Sequence, residues 1–154
     1  MNDRADDDVK KLAGQYKQRL EQENLANRRF LEERELIKTQ GPKLWSDLRD
    51  LIRSKRDGIN NELGPSEVLS WEEPNSNHWI MRRQHDSAAL EGVFDPLHYA
   101  ATFRCEEAKI YLELHISAKS GQAEFVQRNS AAQVEAINKP ANIAHGLMSE
   151  FLNR

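Results

Sequence analysis

The chain contains a single cysteine, Cys105, in 154 residues. One thiol excludes an intrachain disulfide and any zinc site built from several cysteines. Long apolar runs are also missing, and no segment reaches the ~20 residues a helix needs to cross a bilayer. The opening MNDRADDDVKK has none of the apolar stretch of a signal peptide. The expectation is therefore a cytoplasmic protein with no membrane contact. Charge of one sign is lacking as well. Lys and Arg number 22 against 25 Asp and Glu, a formal net charge of −3, which gives no general pull toward nucleic acid. Low-complexity tracts and internal repeats are absent. So are the phosphate-cradling glycine loop, the Gly-x-Ser-x-Gly elbow and the His-Glu-x-x-His pair. Nothing in the chain asks for a cofactor or a metal.

Glycine and proline are scarce, seven and five, so each one punctuates. Before the first break, Asp7 to Thr39 is rich in strong helix formers. Val9, Leu12, Tyr16 and Leu20 form a stripe at helical spacing. It falters at Glu23, Asn24 and Asn27 and resumes with Phe30, Leu31 and Ile37, which argues against a regular coiled coil. Gln40-Gly41-Pro42 reads as a helix end followed by a new start. A second helix then carries Leu44, Trp45, Leu48, Leu51, Ile52, Ile59 and Leu63 on its core face. Its outer face shows Arg49, Arg53, Lys55 and Arg56 diluted by aspartates, a solvated face first and a phosphate-contacting patch second.

After Gly64-Pro65 the period changes from helical to two, the mark of strands with one buried face. Strands are expected at Glu67 to Glu72 and at His78 to His85. Three more fill Ala88 to Ser117, and Gln122 to Arg128 follows the Ser120-Gly121 turn. Pairing Asp95 with His98, Cys105 with Ile110, His85 with Ala88 and Ile116 with Phe125 gives one consistent core side. On it lie Trp79, Met81, Leu90, Gly92, Phe94, Phe103, Cys105, Leu112 and Leu114. A two-residue loop after Cys105 would shift that pairing by two and keep the same faces. Gly92 would sit between Met81 and Ala101. Cys105 then reads as a small buried hydrophobe. Ser130 to Gln133 fits a capping box that opens a short helix through Ile137. Pro140 kinks that helix or opens a new one with Ile143, Leu147, Met148 and Phe151 on one side.

The fold class is therefore α+β. It combines a long N-terminal helix, a second amphipathic helix, a six-stranded antiparallel meander and a C-terminal helix packed on one sheet face. Residues 1–40 form a helical extension and 41–154 the α+β domain. This order resembles helix-grip and secretion-chaperone architectures in element sequence alone, and it assigns no residue.

The second sheet face gathers the candidate site: Ile80, Arg82, Glu91, Val93, His98, Ala100, Thr102, Arg104, Tyr111, Glu113 and His115. An ordinary solvated face with cross-strand ion pairs is the plainest account. A metal site on His98, His115 and Glu113 has suitable ligand types, and Glu91, Glu113 and a histidine could do acid–base work. Trp45, Trp71 and Trp79 belong to the core before they belong to a pocket. The expected function is a non-enzymatic interaction or adaptor module. It would use the long helix or the free sheet face toward a protein partner or a second copy of itself. The alternatives are a small-ligand binder with its cavity between sheet and helix, and a small hydrolase or metal-dependent enzyme on the second face.

Overall fold

The computed structural model describes residues 3–65, 68–128, 134–136 and 139–154. The chain is α+β, with helix α1 (Asp3–Leu63), seven strands and helix α2 (Pro140–Leu152). It divides into two compact units, Met1–Glu35 and Leu36–Arg154. In the first unit every described residue is helical and exposed.

The expected break at Gln40-Gly41-Pro42 is absent, and α1 runs through Pro42. Proline in a helix interior costs about 3 kcal/mol, and packing offsets that cost here. A Cβ before proline clashes with the ring, and Gly41 has none. Gly41 also lets the helix approach the sheet, since a Cβ there would lie 2.8 Å from Leu114 Cδ1. Next to it the Gln40 side-chain oxygen accepts the Ala123 N–H at 2.8 Å. Trp45, Leu48 and Ile52 follow, all buried, each contributing about 1.5–3 kcal/mol. Leu51 and Leu63, expected on the core face, are exposed instead.

The strands are β1 (Leu69–Asn75), β2 (His78–Arg83), β3 (Ala89–Asp95), β4 (Ala100–Cys105), β5 (Ala108–Ile116), β6 (Ala123–Arg128) and β7 (Val134–Ala136). They lie side by side in chain order, all neighbours antiparallel. The six-stranded meander is thus present with a short seventh strand beside β6. Residues 134–136 are strand where a helix was expected, and the capping-box residues Ser130 and Gln133 lie outside the described residues, as does Glu67. Pro140 opens α2 rather than kinking a longer helix.

Registers differ from expectation by two residues in the β2–β3, β3–β4 and β5–β6 hairpins, and β4–β5 takes the second of the two registers considered. Trp79 faces Gly92, Gly92 faces Phe103, Phe103 faces Ile110 and Leu114 faces Phe125. A slip of two leaves every side chain on its face, so the core side is as read. The slips arise in the turns, where Ser87, Tyr99 and Glu106 adopt positive φ (60°, 51° and 54°). The β4–β5 turn has only Glu106 and Glu107 between its strands, the tighter of the two loops considered.

One core joins the sheet to the residues of α1 from Ile37 onward and to Ile143, Ala144, Leu147, Met148 and Phe151 of α2. Within it Trp45 stacks on Phe94 at 5.6 Å between ring centroids, and the partly buried Trp71 of edge strand β1 stacks on Trp79 at 5.1 Å. The Trp45 indole N–H donates to the Ser76 carbonyl at 3.0 Å. Trp45 and Trp79 are core, and Trp71 packs against it partly buried. Cys105 is buried, and that burial pushes its thiol pKa up, which disfavours the reactive thiolate.

Candidate functional site

Alternation along β2 to β5 sets the second-face residues in rows across the strands. His78, Val93, Thr102 and Tyr111 are successive Cα partners, and beside them run Ile80, Glu91, Arg104 and Lys109. A third row holds Ala100, Glu113 and Val126. Arg82 faces Ala89 near one end and His115 faces Glu124 at the other. Ten of the eleven residues read onto this surface thus share this face. Val93 (37% accessible) and Tyr111 (46%) are exposed, whereas Ala100 and Val126 are buried.

His98 is the exception. It lies in the β3–β4 turn, where its Nδ1 sits 2.7 Å from Asp95 Oδ2. Asp95 also accepts the Leu97 and His98 N–H groups through Oδ1, and the positive φ of Tyr99 keeps His98 off the strand. The His98 hydrogen bond is the largest influence on Asp95 and holds its carboxyl below the ordinary value. His115 contacts Glu113 on its own strand at 3.1 Å. Among the described residues, no group of three or more His, Cys, Asp or Glu is arranged to hold a metal ion.

Glu91 is engaged by His78, whose Nε2 lies 2.8 Å from Glu91 Oε1. His78 opens β2 opposite Val93, and the diagonal between β2 and β3 joins it to Glu91. Glu91 and Glu113 stand on β3 and β5, two strand spacings across and four residues along the strand direction, roughly 16 Å apart. That arrangement offers charge and hydrogen bonding to a flat partner.

The space between sheet and α2 is a slot of about 180 Å³ bordered by Phe103, Leu112, Ile143 and Leu147, below the roughly 300–1,000 Å³ of ordinary ligand pockets. A larger open groove of about 480 Å³ runs between the end of α1 and α2. Ile59, Leu63, Met148 and Leu152 line it, with Lys55 and His145 at its rim. The sequence held a signal for it, since Leu63 sits at core spacing with nothing left to cover it. The basic outer face of α1 is compensated: Arg49 pairs with Asp50 at 3.2 Å, Arg53 with Glu73 at 3.5 Å, and Arg56 with Asp57.

The remaining surface is the helix of the first unit. Val9 (64%), Leu12, Tyr16 (63%), Phe30 and Leu31 are exposed, and Leu20 somewhat less so. Within the stripe's polar gap Arg19 pairs with Glu23 at 3.2 Å, and the Arg34 guanidinium lies over the Phe30 ring, 5.5 Å from its centroid. No protein-family model, no curated protein and no solved structure matches the chain.

Proposed function

We propose that the protein is a non-enzymatic interaction module whose contact surface is the apolar stripe of its N-terminal helix. The observation that carries this reading is a stripe at helical spacing, Val9, Leu12, Tyr16 and Leu20 and then, past a polar gap, Phe30 and Leu31, on a helix whose described residues up to Leu36 are all exposed. Single exposed apolar side chains are common on surfaces, but a row at helical spacing is the pattern of a helix that docks. The Val93–Tyr111 row of the sheet is a lesser candidate, because charged rows flank it. The test is a photo-crosslinking residue placed in the source cells at Leu12 or Phe30, with Leu97 (80% accessible) as control. Protein adducts at the two helix positions and none at Leu97 are expected. Adducts at neither helix position would remove the reading.

A second reading, a small-ligand binder, is favoured by the groove between α1 and α2. An apolar dye such as anilinonaphthalene sulfonate should bind there and be released in Met148→Arg. Equal dye fluorescence in the variant would argue that the groove holds no ligand.

A further inference from the structure

We propose that the N-terminal helix pairs with the same helix of a second copy of this chain, antiparallel and crossing near Glu21. This rests on the interaction reading above and names its partner. The argument comes from charge along the helix. Asp3, Asp6, Asp7 and Asp8 make an acidic start, Lys10, Lys11, Lys17 and Arg19 a basic middle, and Glu21 and Glu23 an acidic step. In a parallel, in-register pair each residue meets its own copy, so every block faces like charge. Glu23, which lies in the apolar stripe, would face Glu23. Like charges at close quarters oppose such pairing.

Reversing one helix about Glu21 relieves that conflict at Glu23, while Glu21 itself lies on the helix face opposite Leu12 and Phe30 and so outside the seam. Leu12 then stands opposite Phe30, Gln15 opposite Asn27, Arg19 opposite Glu23 and Asp8 opposite Arg34. Each pair occurs twice, as a two-fold interface requires. The three polar residues that interrupt the stripe, Glu23, Asn24 and Asn27, thereby meet polar residues able to answer them, Arg19, Gln18 and Gln15. Within one helix Arg19 and Glu23 are paired at 3.2 Å, and in the dimer the same groups exchange partners across the seam. Polar positions of this kind fix register and orientation in helical pairs at some cost in affinity. From Asp8 to Arg34 the seam is roughly 40 Å long at 1.5 Å per residue, enough for several turns of contact.

Sedimentation velocity on the full chain across a micromolar concentration series tests the proposal. The wild-type chain should form a reversible dimer. Arg19→Glu and Glu23→Arg should each weaken it tenfold or more, and the double exchange should restore it, because each new residue again faces its opposite. Circular dichroism and the thermal melt of each variant guard against loss of the helix itself. Single reversals without rescue by the double exchange would overturn the antiparallel arrangement, and a monomer at every concentration would overturn self-pairing. A monomer whose Leu12 and Phe30 still cross-link to another protein in cells would sink self-pairing and leave the interaction reading standing. A monomer with no adduct at either position would remove both.

Discussion

Gly92 has no side chain, and Trp79 fills the space one would need. A Cβ at Gly92 would lie 2.5 Å from Trp79 Cε2, a rigid ring that is itself fully buried. Gly92→Ala should therefore cost about 1–3 kcal/mol. Thr102→Ala, on the open face, should cost roughly half a kcal/mol. Denaturant melts that gave equal losses would contradict the assigned faces. The need for a small residue at Gly92 was readable in the sequence, but its neighbours were not. Trp79 and Phe103 flank it instead of Met81 and Ala101, because Ser87 and Tyr99, in the turns before and after β3, take positive φ without the glycine or asparagine that would announce it. Asp95 carries the second residue-scale prediction. Its folded pKa is depressed, chiefly by His98, so its contribution to stability is present above the unfolded carboxylate value near 3.9. That contribution is lost as pH falls through the lower folded value. The stability gap between wild type and Asp95→Asn should be open at neutral pH and close under acid, as followed by chemical melts across pH.

Elements are held together here by a few side-chain ties that no periodicity announces. Arg83, at the end of β2, donates two hydrogen bonds to Asp86 at 3.1 and 2.6 Å and a third to the Phe151 carbonyl at 2.7 Å. Its guanidinium also lies 5.2 Å from the Phe151 ring centroid, so one residue joins the β2–β3 turn to the last turn of α2. Partial burial pulls the Asp86 carboxyl upward, but the Ala88 N–H and Arg83 outweigh it and hold it below the ordinary value. Arg83→Ala should lower stability by about 1.5–3 kcal/mol. Arg83→Lys should recover only part, since an ammonium cannot reproduce the fork. Full recovery by lysine, read in the same melts, would show that charge alone matters. Asn60 ties differently, with its amide accepting from the Leu69 N–H at 2.8 Å and donating to the Leu69 carbonyl at 3.1 Å. Strand existence and facing were legible because alternation survives a slip of two. The unbroken α1 was not, because Gly41-Pro42 is a stop signal that only contact with Leu114 and the core overrides. Three-residue β7 was not legible either, being too short to show a period.

At the scale of the whole molecule, the two units should differ in how their backbones exchange with solvent. The helix of the first unit has its described side chains exposed, so its amides depend on local helix stability and on any partner. Those of β3 to β5 depend on global unfolding. In hydrogen exchange the region from Val9 to Leu31 should become more protected as protein concentration rises, while β4 should not change. Equal protection at all concentrations would argue against pairing through that helix. The candidate surfaces were legible in part. Register parity collected ten of the eleven second-face residues, and it failed for His98 because a turn conformation decides where that side chain goes. The strand order has one more consequence. Each strand pairs with a neighbour made just before or after it, so loop-closure costs are small and contact order is low for a sheet protein. The core face of α1 is the exception. It is synthesised before the strands, yet Gln40 reaches its partner at Ala123 only 83 residues later. As the chain leaves the ribosome, Trp45, Leu48 and Ile52 have no surface to meet until the central strands have followed. Completion of the sheet is the event that ends their exposure to the proteostasis machinery.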